Sequence, residues 1–120
     1  MDLRLSVIVL SVGDVAMLDR CRDWYLKLGL PKSPPDTPGE SYWFDTGHNT
    51  SIGVHTGEPV TNPEAVYLGL EVDDVEETYA RLRADGFVFD GVPEDKSWGG
   101  RAVSLHDPVG HTIMLYQPKD

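Results

Sequence analysis

The hydrophobic pattern is clearest near the end of the chain, in Arg101 to Gln117 (RAVSLHDPVGHTIMLYQ). Ala102 to Leu105 alternate small or polar with apolar residues, Asp107-Pro108-Val109-Gly110 reads as a sharp turn, and Thr112 to Tyr116 continue as a second strand, making an antiparallel hairpin. Successive strand residues point to opposite faces, so Ile113 and Leu115 share one face and Thr112, Met114 and Tyr116 the other. The first face suits a core. The second mixes a hydroxyl, a thioether and a phenol, and can line a pocket.

From the N-terminus, the pattern predicts a strand over Leu3 to Val12. Ser6, Ile8, Leu10 and Val12 lie on one side and Leu5, Val7, Val9 and Ser11 on the other, and because both sides are apolar both are expected to be covered. Asp14 stands where a helix N-cap belongs. Met17, Leu18, Cys21, Trp24, Tyr25 and Leu28 then recur at helical spacing until Gly29 stops the helix, with Cys21 as a packed thiol. Pro31 to Glu40, with four prolines, reads as a loop. Ser41 to Asp45 and Ser51 to His55 form a second hairpin around the turn Thr46 to Asn49, and Gly57 to Glu64 reads as a linker. In the next strand, Val66 to Val72, Val66, Leu68, Leu70 and Val72 face one side and Tyr67, Gly69 and Glu71 the other. Asp73 or Asp74 caps a second helix, with Glu76 or Glu77 completing a capping box, Val75, Tyr79 and Leu82 as its stripe, and Gly86 at its end. Phe87 to Val92 reads as a strand and Pro93 to Gly100 as a loop carrying Trp98, while Trp24 and Tyr79 are expected in the core.

The order strand, helix, strand, strand, strand is thus stated twice, with one strand of the first copy hidden in or after the proline-rich segment. Val12-Gly13-Asp14-Val15 aligns with Val72-Asp73-Asp74-Val75 at an offset of 60, and Asp45-Thr46-Gly47 aligns loosely with Asp107 to Gly110. That period is too long for a solenoid and points to a duplicated module. The expected fold is α+β: two tandem βαβββ modules forming curled mixed sheets around a cavity, with helices on the outer face. The expected organisation is one domain, 1–120, with module 1 at about 1–57, a linker at 58–64 and module 2 at about 65–118.

Composition narrows the function. A chain of 120 residues with 40% hydrophobic content suits one domain with a single core. Leu5 to Val12 is too short to span a bilayer, and Asp2 sits where a secretory leader would be basic, so the expectation is a cytoplasmic chain with no membrane partner. Cys21 is the only cysteine, which excludes an intrachain disulfide or thiolate zinc cluster; Asn49-Thr50-Ser51 is then an unused sequon. Five basic against eight acidic residues up to position 60, and five against twelve after it, give the formal charge of -10. That balance disfavours nucleic acid and anionic lipid and favours a cationic ligand, although most of the charge is an ordinary solubilising surface. There is no P-loop, nucleotide-binding glycine pattern, nucleophile elbow or His-Glu metalloprotease helix.

In this order and spacing the chain resembles the vicinal oxygen chelate superfamily, the glyoxalase, bleomycin-resistance and extradiol dioxygenase group. The resemblance covers residues 3 to 117. It is carried by Val7 to Asp14 entering a helix that ends Trp24-Tyr25 through Leu28-Gly29-Leu30, by Leu70-Glu71-Val72-Asp73-Asp74-Val75, by Arg81 to Gly86, by Trp98-Gly99-Gly100-Arg101 and by Asp107-Pro108-Val109-Gly110. It implies paired βαβββ modules and a homodimer whose cavities take strands from both chains. It also implies where metal ligands would stand: the first-strand His falls on Val7, the end-of-module donor on Gly53, the fifth-strand His on Tyr67 and the last-strand Glu on Met114. Val7 and Gly53 carry no donor, Met114 offers a soft thioether, and a Tyr67 phenol is an unusual ligand for such an ion. The resemblance therefore points to a metal-free branch like the bleomycin-resistance proteins, with no cofactor and no catalytic residue.

What remains is a ligand face made of Val7, Gly53, His55, Tyr67, Gly69, Glu71, Ser104, His106, Thr112, Met114 and Tyr116, with Val9 beside them and Trp43 and Trp98 at the rim. Aromatic rings and a thioether suit a flat, partly apolar molecule, and Glu71 suits a cationic group on it. The first function expected is metal-independent sequestration of such a molecule, as in antibiotic resistance. A second is a lyase, isomerase or dioxygenase with a relocated metal at His55 and His106, or with Glu71 and His106 as a metal-free acid/base pair. A third is a regulatory or structural module whose cavity is filled by Tyr67, Met114 and Trp43. His48 and His111 fall in turns and are expected to be solvated.

Overall fold

The computed structural model describes residues 2–119, which divide into two compact units, one up to residue 61 and one from residue 62. Each unit has a four-stranded mixed sheet with a helix on one face, so the architecture is α+β with two repeats of one module.

In the first unit, β1 (Val7–Gly13) leads into α1 (Val15–Leu28), followed by β2 (Lys32–Thr37), β3 (Ser41–Gly47) and β4 (Thr50–Thr56), in sheet order β1-β4-β3-β2. The Asp14 carboxylate accepts the Met17 N–H and caps α1. At the other end Gly29 adopts φ 118°, a left-handed conformation open to glycine, and Leu30 N–H returns to the Tyr25 carbonyl. The helix buries Leu18, Cys21, Tyr25 and Leu28 against Leu10, Val12, Tyr42, Phe44, Ile52 and Val54 of the sheet, with Tyr25 and Phe44 ring centroids 5.5 Å apart. Each of the larger side chains so buried is worth about 2 kcal/mol. The β3–β4 hairpin turns through His48 and Asn49, both at positive φ as a type I′ connection requires, and the Asp45 carboxylate accepts the Gly47 N–H at 2.8 Å.

The second unit repeats the plan: a 3-10 turn at Pro63–Ala65, β5 (Tyr67–Glu71), α2 (Val75–Ala84), β6 (Glu94–Asp95), β7 (Arg101–His106) and β8 (Thr112–Gln117), in sheet order β5-β8-β7-β6. Of the two candidate caps it is Asp74 that accepts a helix N–H, from Glu77, while the Gln117 side chain accepts the Val75 N–H at 3.0 Å and ties α2 to β8. Val75 and Leu82 lie against β7 and β8, where Val103, Leu105, Ile113 and Leu115 are buried.

Several sequence expectations need correction. The proline segment is a strand, because β2 is the edge of its sheet. Ser33 pairs with Trp43 and Thr37 with Ser41, so three residues, Pro34, Pro35 and Asp36, stand opposite Tyr42 alone; at an edge bulge the missing proline N–H groups cost nothing. Phe87 to Val92 is not a strand. It makes one bridge, Phe89 to Leu105, and the sheet edge is instead β6, inside the stretch read as a loop. The first strand begins at Val7, and its second side is not covered within this chain, since Val7 and Val9 are 40% and 52% exposed. Trp24 and Tyr79 are half-buried rather than fully in the core.

His111 is likewise not solvated: it is buried with Asp107 at the β7–β8 turn. Asp107 Oδ1 accepts the backbone N–H groups of Val109 (3.1 Å), Gly110 (2.9 Å) and His111 (2.9 Å), and its Oδ2 accepts from His111 Nδ1 at 2.7 Å. Replacing Asp107 by Ala strands the Val109 and His111 N–H groups and a buried imidazole, while the Gly110 N–H keeps the residue 107 carbonyl, and should cost about 3 kcal/mol in urea unfolding. Asp107→Asn keeps an acceptor oxygen for the turn and should cost about half of that.

Candidate functional site

The helix of each unit covers one sheet face, and strand register decides which residues share the opposite, open face. In the first unit the rows are Val7, Ser51 and Asp45; Val9, Gly53, Trp43 and Ser33; and Ser11, His55 and Ser41. The middle row is shaped by the indole of Trp43, which lies on Gly53: a Cβ at Gly53 would meet Trp43 Cζ3 at 2.4 Å. Only a glycine admits the ring there. His55 has both nitrogens engaged nearby, Nδ1 with the Thr56 carbonyl and Nε2 3.8 Å from Glu40 Oε1.

In the second unit the rows are Tyr67, Thr112 and His106; Gly69, Met114 and Ser104; and Glu71, Tyr116 and Ala102. The alternation read from the sequence therefore brings Tyr67, Gly69, Glu71, Ser104, His106, Thr112, Met114 and Tyr116 onto one face. Trp98 joins them by standing edge-on to Tyr116, with ring centroids 5.8 Å apart, and it rests on Gly100, where a Cβ would come within 2.3 Å of the indole. An open pocket of about 410 Å³ lies along Trp98, Gly100, Tyr116 and Pro118. Arg101, close by, is held by Glu76 and then by Asp95, whose hydrogen bonds raise its pKa further, so its charge is already paired.

A narrower cleft of about 240 Å³ opens at the other end of the same sheet, lined by Tyr67, Asp90, Val92, Lys96, Ser104 and His106 among others. His106 Nε2 is 2.8 Å from Asp90 Oδ2. Asp90, Val92 and Lys96 were not among the residues singled out from the sequence: the first two fall in a stretch that reads as a strand and the third in one that reads as a loop, and neither pattern sets them beside His106.

The four positions where the resemblance puts metal ligands do not suit a divalent ion. Val7 and Gly53 supply no donor, the Gly53 position is filled by the Trp43 ring, and Tyr67 and Met114 lie one row apart as a phenol and a thioether. Among the described residues no group of three or more His, Cys, Asp or Glu side chains comes together to hold a metal ion. The register also separates Glu71 from His106. Their partners on β8, Tyr116 and Thr112, are four residues apart, and β5 and β7 flank β8, so the two backbones are about 16 Å apart. They are not an acid/base pair; the partner of His106 is Asp90.

A family model described as the Glyoxalase/Bleomycin resistance protein/Dioxygenase superfamily matches residues 4–115. No curated protein sequence matches the chain. Among solved structures, TnmS3, an antibiotic binding protein from Streptomyces sp. CB03234, is 27% identical, with 99% of each chain covered and a TM-score of 0.80. A putative glyoxalase family protein from Bacillus anthracis (15% identity, 99% of this chain and 98% of that chain, TM-score 0.82) shares the fold. So does lactoylglutathione lyase from Agrobacterium tumefaciens (18%, 98% and 94%, TM-score 0.74). No helix among the described residues is long and apolar enough to cross a membrane.

The contact between Trp43 and Gly53 gives a direct prediction. Gly53→Ala should push the indole off the sheet, visible as a shift of the Trp43 indole N–H resonance, and should cost about 1 to 2 kcal/mol. In a double-mutant cycle with Trp43→Ala the two costs should fall short of additivity by about 1 kcal/mol, because the clash disappears with the ring.

Proposed function

We propose the following function for this chain, which belongs to the Glyoxalase/Bleomycin resistance protein/Dioxygenase superfamily: it binds and sequesters a small, partly aromatic molecule of the antibiotic or related-metabolite class, without a metal and without turning it over. The observation that carries this reading is the Trp43 indole seated on Gly53, at a position where a metal-dependent relative would place a ligand. With Val7, Tyr67 and Met114 at the other three positions, nothing polarises a substrate oxygen, and the same residues offer flat apolar contact instead. The second unit carries an aromatic pair of its own, Trp98 and Tyr116. Glu71, paired in register with Tyr116, places a carboxylate on that face for a cationic group on the ligand. The 27% identity to an antibiotic binding protein, over 99% of both chains, supports the ligand class.

The reading includes a homodimer acting in the cytoplasm. Val7, Val9 and Tyr67 (68% exposed) leave apolar surface on the open faces, and a second copy of the chain would cover it and complete each cavity.

The experiment is a titration of the purified protein with a panel of aromatic antibiotics, read by tryptophan fluorescence and by native mass spectrometry. At least one should bind at one molecule per subunit to a species of two chains, and be recovered with its mass unchanged. Trp43→Ala, Tyr67→Ala and Met114→Ala should each weaken that binding about tenfold, or ~1.4 kcal/mol. Undiminished binding by the triple variant, or a product of altered mass, would overturn the proposal.

A further inference from the structure

The cleft beside His106 arises from a bulge at the sheet edge. Phe89 bridges to Leu105 and Glu94 pairs with Ala102, so four residues, 90 to 93, lie opposite two, Val103 and Ser104. The extra chain is exposed at Gly91 and Val92, which line the cleft, while Pro93 is buried. The bulge is anchored rather than slack: the Asp90 N–H donates to the Ser104 carbonyl at 2.9 Å, and Phe89 packs edge-on against Tyr79 at 4.9 Å. The Asp90 carboxylate is therefore held at a fixed place beside His106.

That placement sets the chemistry of the imidazole. With Nε2 2.8 Å from a carboxylate, the neutral ring carries its proton on Nε2, and Nδ1 becomes an acceptor. Among the described residues Nδ1 has no hydrogen-bond partner, nor do the Ser104 and Tyr67 hydroxyls that line the same cleft. Ala102, Val103 and Val92 supply apolar wall. The volume decides what fits. An apolar cavity of about 150 Å³ takes a benzene ring, and drug-sized ligands need roughly 300 Å³ or more. A cleft of about 240 Å³ suits one substituted ring.

We propose that this cleft is a separate subsite for a neutral phenol or similarly hydroxylated ring, whose O–H donates to His106 Nδ1, with Asp90 as the residue that positions the imidazole. The assignment rests on the binding reading above, since Tyr67, Ser104, His106 and Thr112 belong to both, and it names the part of the ligand that would enter here. Lys96 and Glu94 also line the cleft and, 4.0 Å apart, largely offset each other's charge, which fits a neutral group better than an anion.

The test titrates the isotopically labelled full chain with phenol, anisole and benzoate, following amide resonances and the His106 ring nitrogens by NMR. Phenol should shift Val103, Ser104 and Thr112 with a Kd on the order of 1 mM, as expected for a ligand of this size. Anisole, lacking the donor, should bind at least tenfold more weakly, and benzoate should not bind. His106→Phe should abolish the preference for phenol over anisole. The isosteric Asp90→Asn should collapse the same preference about fivefold and change the ring-nitrogen signature while leaving anisole affinity unaltered, a selectivity effect that a merely structural role would not produce. Trp43→Ala should leave phenol binding intact, so loss of the antibiotic site and loss of this subsite are separately visible. Equal binding of phenol and anisole, a preference for benzoate, shifts confined to other residues, or an unchanged His106→Phe variant would overturn the proposal.

Discussion

The register of β8 against its neighbours is the constraint on which the second unit depends, and a single buried carboxylate fixes it. Asp107 gathers three backbone N–H groups and the His111 imidazole into the β7–β8 turn, with both side chains essentially out of solvent. Side chains alternate with a period of two, so a slip of one residue would turn Ile113 and Leu115 off the helix-covered face and Thr112, Met114 and Tyr116 onto it. The whole open face, including the pairing of His106 with Thr112 and of Glu71 with Tyr116, follows from that turn. Asp45 plays a lighter version of the part in the first unit, accepting one N–H at the β3–β4 turn.

Given that register, glycine and aromatic residues divide the labour on the open faces. Gly53 under Trp43 and Gly100 under Trp98 are places where a backbone without a side chain lets an indole lie flat. Gly69 is a milder case, where a Cβ would come 3.3 Å from the Tyr116 ring. Such faces offer area and shape for contact. The 18% likeness to a lactoylglutathione lyase speaks to the fold alone.

The two units also share a device that their sequences conceal. Each sheet ends in an edge strand with two surplus residues: three facing one in β2 against β3, and four facing two in the segment before β6 against β7. Bulges at edges blunt the unpaired strand and bend it. In the first unit the surplus is taken up by Pro34, Pro35 and Asp36; in the second, the exposed Gly91 and Val92 line the cleft at His106. The same structural repeat is thus inert in one copy and carries a candidate subsite in the other.

What the sequence determined by itself was everything that periodicity and local capping encode. Both helices with their Asp14 and Asp74 caps, the duplicated module, the two hairpins and the membership of the open face in β5, β7 and β8 could all be read from spacing, because those signals are local. Tertiary structure alone decided the rest. Proline tolerance in β2 depends on which strand lies at the sheet edge, the burial of His111 depends on the Asp107 carboxylate closing over it, and the partner of His106 depends on a bulge that carries Asp90 alongside. The alternation that placed Glu71 and His106 on one face gave no distance between them; only register across three strands set them at opposite ends. A one-dimensional pattern fixes which side a residue faces, whereas proximity between strands is a property of pairing.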